Sequence, residues 1–162
     1  MSLGRSRRSF AFDDIKKKLE RFCIYQERCH VEVENKMKEF LLIPEARDRL
    51  YLHLIQEGYL NEERFTRNYV RGKFRQKKWG RIKIIQSLKQ KKIAENLIRK
   101  GLEEIDEEDY RETLFNLYES CEEKIKEPDK GKKINKITRY LLSKGYEYEV
   151  ICKVGETLRK KV

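Results

Sequence analysis

NEERFTRNYVRGKFRQKKWGRIKIIQSLKQKKIAENLIRKGLEEID, residues 61–106, repeats its apolar positions at three- and four-residue steps. Phe65 and Tyr69 are four apart, as are Val70 and Phe74, and Ile82, Ile85 and Leu88 follow at three-residue steps. Leu97, Ile98, Leu102 and Ile105 form the next stripe. Such spacing puts the apolar side chains on one face of a helix. Asn61 precedes two acids, and Asp106 precedes "EEDY", so both suit helix N-caps with carboxylates in a favourable first turn. Gly80 separates the first two helices of the stretch. The remainder of the chain has the same helical spacing, and with only two Pro and eight Gly it lacks the punctuation of an all-β fold.

The pattern recurs elsewhere in the chain. "NEERFTRNYV" from Asn61 aligns with "DEEDYRETLF" from Asp106 at an offset of 45, and "LKQKKIAENLIRK" from Leu88 aligns with "LLSKGYEYEVICK" from Leu141 at an offset of 53. The eight extra residues fall in "CEEKIKEPDKGKK", where Pro128 and Gly131 are expected in an inter-helix loop. A weaker copy lies upstream, Met37, Leu42 and Ala46 matching Leu88, Ile93 and Leu97, with Pro44 suited to the first turn of a helix. The expected fold is all-α, three tandem three-helix, helix-turn-helix-like repeats sharing a core in series and therefore elongated. Repeat 1 is placed at 11–59, repeat 2 at 60–105 and repeat 3 at 106–162. Residues 1–10 are expected to be a flexible basic tail, partly vector-derived.

Charge is distributed unevenly. The chain carries +11, yet Arg64 to Lys100 holds fourteen Lys or Arg against one acid, Glu95, leaving −2 for the other 125 residues. A surface that needs only solubility mixes its signs, whereas a concentrated cationic stretch suits polyanions or acidic partners. Arg64, Arg67, Arg71, Lys73, Arg75, Lys77, Lys78, Arg81 and Lys83 are therefore the candidate partner- or DNA-binding residues, and nothing in the chain is expected to neutralise them. Phe65, Tyr69, Phe74, Trp79, Ile84 and Leu88 are the expected structural core of repeat 2, with Trp79 a wedge between helices.

Chemistry of the catalytic kind finds no support in the sequence. His30 and His53 lie outside any nucleophile–base or H-E-x-x-H setting, and neither standard phosphate-binding Gly loop occurs. No catalytic residue and no cofactor are expected. Cys23, Cys29, Cys121 and Cys152 show no paired metal-ligand spacing, and read as free thiols in a reducing cytoplasm. No apolar run reaches the length of a membrane span.

"EGYLNEERF", an aromatic–Val pair, "KF", "KWGRIKI" and "L-x-x-K-x-I" stand here in the order and spacing of the central repeat of the RecX family, regulators of the RecA recombinase, which residues 54–106 resemble. The three-repeat pattern extends the resemblance over residues 12–160. It implies a curved, elongated monomer that binds the groove of the RecA–single-stranded DNA filament. It also implies suppression of filament extension and of RecA's ATPase, strand-exchange and coprotease activities, and so a part in recombination, DNA repair and the SOS response. The chain departs from the family pattern at Leu41, commonly Gly, at "LIPEARD", at the insertion around Pro128, and at "KWG", where many relatives have a Gly–Pro element. Two other readings stand beside it: a stand-alone basic nucleic-acid-binding module, and an adaptor docking an acidic protein.

Overall fold

A computed structural model describes residues 3–161, with side chains from Ala11 to Lys161. The described residues form nine helices and no strand: α1 Leu3–Tyr25, α2 His30–Met37, α3 Pro44–Gln56, α4 Glu62–Arg75, α5 Arg81–Gln90, α6 Glu95–Leu102, α7 Glu107–Lys124, α8 Lys130–Ser143 and α9 Tyr148–Lys160. Helix α1 begins at Leu3, inside the stretch expected as a tail. The N-caps follow the sequence chemistry. The Asn61 side chain accepts from the Arg64 N–H, and the Asp106 carboxylate accepts from the N–H groups of Glu108 and Asp109. Pro44 occupies the first turn of α3.

Each helix packs chiefly within its own triplet, α1–α3, α4–α6 or α7–α9. The third triplet is the second with additions. Loops 76–80 and 125–129 both have five residues, but α7 has 18 residues against 14 in α4, and α8 has 14 against 10 in α5. The eight extra residues are thus one helical turn on each of α7 and α8, not loop. Gly131 lies inside α8, and of the two only Pro128 lies in the loop. Pro128 is accommodated because Asp129, directly after it, supplies the cap by accepting from the Lys132 N–H.

Two cores result. Leu19, Val33, Met37, Leu50, Leu54 and Leu60 belong to a cluster confined to the first triplet. The second and third triplets share one cluster, bridged by a ladder of rings: Phe74 to Tyr110 at 5.9 Å between centroids, and Tyr110 to Tyr146 at 5.2 Å. Accessible surface is 11474 Å², about a third more than the roughly 8,600 Å² expected of a compact monomer of this mass. The serial arrangement is the cause, because inner units share a core while every unit keeps wide wet faces.

Candidate functional site

The nine candidate cations divide into two groups. Four of the five arginines, Arg64, Arg67, Arg71 and Arg81, are paired with the chain's own carboxylates. Arg64 Nε donates to Glu27 Oε1 at 2.5 Å, and Arg67 bridges Glu63 (3.3 Å) and Glu104 (3.1 Å). Arg71 also reaches Glu104, at 3.2 Å, and Arg81 meets Glu107 at 2.5 Å and Glu147 at 3.6 Å. The expectation that nothing in the chain neutralises these charges is therefore corrected for Arg64, Arg67, Arg71 and Arg81. Most of the acids lie 26 to 37 positions away in sequence, so tertiary packing alone brings them within reach. The hydrogen bond from Arg67, with the charge of Arg71, holds the Glu104 carboxyl below the usual carboxylate range.

Lys73, Arg75, Lys77, Lys78 and Lys83 have no carboxylate within 4.0 Å among the described residues. They gather around the turn from α4 to α5. Trp79, half-buried against the shared core, lies under Lys73 Nζ at 4.8 Å and Lys83 Nζ at 4.6 Å from its ring centre. A cation over an aromatic face gains electrostatic attraction without losing its charge, so the two ammonium groups are positioned yet not neutralised. Arg75, Lys77 and Lys78 are exposed on the same turn, where Lys78 takes a left-handed φ of 57°. Behind this surface Phe65, Phe74, Ile84 and Leu88 are buried, and Tyr69 packs partly buried with its hydroxyl on Ser87.

Lys144 completes the cluster, and the sequence reading missed it. Its Nζ donates to the Lys77 carbonyl at 2.7 Å. Burial, with Lys83 and Lys77 adding to it, pushes its pKa down. The signal was available in the repeat. Lys144 aligns with Lys91 at the offset of 53, and Lys91 reaches back to Glu32 of the preceding triplet at 3.1 Å. Each of these lysines ties its triplet to the one before, but only Lys144 does so without meeting an anion.

The cluster sits on a tight joint. The Gly80 N–H donates to the Lys144 carbonyl at 2.8 Å, the Ile82 N–H to the Gly145 carbonyl at 3.0 Å, and the Tyr146 hydroxyl to the Lys78 carbonyl at 2.8 Å. The Tyr110 hydroxyl donates to Glu147 at 2.6 Å and accepts from the Arg81 N–H at 3.0 Å. Its pKa is pushed up by burial, then by Glu147. The lysines therefore stand on a fixed base, two repeats locked by backbone and buried hydroxyls.

Residues 61–102, from the cap of α4 through α6, match the family model described as RecX, second three-helix domain. The chain is 34% identical to Regulatory protein RecX of Clostridium perfringens (strain 13 / Type A) over 120 residues, 73% of this chain and 56% of that relative. The chain belongs to the RecX family. Regulatory protein RecX of Clostridium tetani (strain Massachusetts / E88) is 34% identical over 109 residues, 66% of this chain and 50% of the relative. This RecX-family chain thus spans about half the length of those curated relatives. Its fold matches the crystal structure of RecX from Lactobacillus salivarius with a TM-score of 0.83 at 22% identity, covering 93% of this chain and 98% of that one. Among the described residues no helix of this RecX-family chain is long and apolar enough to cross a membrane. Nor do any three or more of their His, Cys, Asp and Glu side chains gather as metal ligands.

Proposed function

We propose that this RecX-family chain is a non-enzymatic regulator that binds the RecA–single-stranded DNA filament and inhibits its extension, ATPase and recombinase activities. The observation that carries the reading is the cluster Lys73, Lys77, Lys83 and Lys144, set around Trp79 and lacking carboxylate partners. Arg75 and Lys78 extend it. Concentrated cations on a rigid base attract a polyanionic assembly and lose little conformational freedom on meeting it. Of the paired arginines, Arg64 and Arg81 instead tie repeat 2 to its neighbours, and Arg67 and Arg71 tie α4 to the turn after α6. A monomer lying across filament subunits would act through linkage, shifting assembly only as far as it prefers one filament state over another. Cytoplasmic location and a part in recombination and DNA repair follow from that partner.

The test is a titration of the full chain into RecA filaments on single-stranded DNA, and into the bare DNA. Substoichiometric loss of RecA ATPase is the expected outcome. Tight binding to bare DNA without that loss would favour the stand-alone nucleic-acid module, and indifference to both would favour an adaptor for an acidic protein. If five cations meet phosphates of a single strand, log K against log salt has a slope of about −3.5.

A further inference from the structure

The turns added to the third repeat line a groove. Helix α7 extends four residues beyond the counterpart of α4, and α8 begins four residues before the counterpart of α5. Helix α9 has 13 residues against 8 in α6. All three extensions converge. A groove of about 490 Å³ is lined by Glu122 from the added turn of α7, Lys130 and Lys133 from the added turn of α8, Ile134 and Ile137 beside them, and Leu158 and Arg159 from the added part of α9. Its floor is aliphatic, with Ile137 and Leu158 buried and Ile134 half-buried.

The rim carries three cations against one acid, Glu122. Lys130, Lys133 and Arg159 have no carboxylate within 4.0 Å among the described residues. Of the nearby acids, Glu127 pairs with Lys136 at 2.8 Å and Asp129 caps α8, while Glu122 stands in the lining itself but lies beyond 4.0 Å from all three cations. Lys130 and Lys133 also sit in the first turn of α8, which holds no acid, although the helix dipole there disfavours cations. Between Lys124 and Lys161 the chain carries twelve Lys or Arg against five acids.

We infer that this groove docks an acidic, amphipathic segment of a partner protein. Apolar side chains of the segment would lie on Ile134, Ile137 and Leu158, and its carboxylates would meet Lys130, Lys133 and Arg159. An aliphatic floor between separated cations is the arrangement that receives one face of a helix. No aromatic ring lines it to stack a base, which distinguishes it from the lysine cluster around Trp79. The inference does not depend on the filament reading, since the groove lies in repeat 3 and shares no residue with that cluster.

The probe is a displayed library of random 16-residue peptides, selected against the full chain. Enriched peptides are expected to be acidic, with Leu, Ile or Phe at helical spacing. In anisotropy titrations a labelled winner should weaken at least tenfold on Lys130→Glu/Lys133→Glu/Arg159→Glu, and again when its own apolar residues become Ser. A milder Lys133→Gln/Arg159→Gln variant should weaken binding in the same direction and secures the result if the triple variant loses its helical circular dichroism. Enrichment of basic peptides, no enrichment, or winners indifferent to both variants would overturn the inference. So would displacement of the winner by a 16-nucleotide oligothymidylate, which would make the groove a nucleic-acid surface. A concentration-dependent dimer abolished by the same substitutions would instead make the occupant a second copy of the chain, and would equally overturn it.

Discussion

Gly80 and Gly145 face each other across the joint between the second and third repeats, so closely that a Cβ on Gly80 would lie 2.3 Å from the Gly145 carbonyl carbon. The two residues are 65 positions apart and belong to different helix-connecting turns. Gly80 has an ordinary φ of −77°, so space alone forbids a side chain there. Gly145 has a φ of 97°, and a Cβ on it would also come within 2.3 Å of Lys83 Cβ. The joint therefore needs glycine at both places, at one for space and at the other for space and backbone together.

Gly80→Ala should accordingly cost about 1–3 kcal/mol through overpacking. Gly145→Ala should cost more, about 2–4 kcal/mol, because left-handed strain adds to the clash. Urea unfolding checks both. A Gly80→Ala protein as stable as the parent would mean that the joint is looser than its backbone hydrogen bonds indicate.

The division between the four paired arginines and the unpaired cations around Trp79 predicts two phenotypes. Lys77→Glu/Lys83→Glu should abolish inhibition of RecA ATPase with the helical circular dichroism unchanged. Arg67→Ala, which removes contacts to Glu63 and Glu104, should lower the melting temperature and leave inhibition by the folded protein intact. Reversed phenotypes would assign binding to the arginines.

Trp79 is the chain's one tryptophan, and its ring centre lies 4.8 and 4.6 Å from the ammonium groups of Lys73 and Lys83, which makes it a native reporter. Its emission should change saturably when filaments are added, and should stay constant in Lys73→Glu/Lys83→Glu. Trp79→Ala should cost about 1–3 kcal/mol, below the range for a fully buried Trp because the ring is only half covered. Thermal melts read this directly.

Glu104 gives a pH dependence of known sign. Its folded pKa is depressed below 4.5 by Arg67 and Arg71, so its contribution to stability is complete above the unfolded value and is lost as pH falls through the folded one. Glu104→Gln should lower the melting temperature by roughly a few degrees at pH 7. That gap should narrow as melts are repeated at falling pH, because protonation of the Glu104 carboxyl leaves both proteins with a neutral side chain. A gap independent of pH would show that shape, not charge, matters at this position.

Much of the architecture is legible in the chain because it is local. Asn61 and Asp106 cap their helices in the way that side chains three residues or fewer from an open N–H must. Phe65, Phe74, Ile84 and Leu88 are buried because a helical period puts them on one face. The insertion in repeat 3 is not legible in the chain for the same reason in reverse. Pro128 and Gly131 signal a loop, whereas Asp129 between them caps a new helix start, so the chain gained two turns instead.

From the amino-acid order alone came the helical periods, the repeat and the concentration of positive charge, because each is a relation between residues a few steps apart. Tertiary packing decided which of those charges remain unsatisfied. Glu27, Glu104, Glu107 and Glu147 reach the arginines only after the helices stack, whereas Lys144 arrives beside Lys77 and Lys83 with no acid of its own. Coulomb attraction falls off with separation through space, and separation along the chain does not enter it.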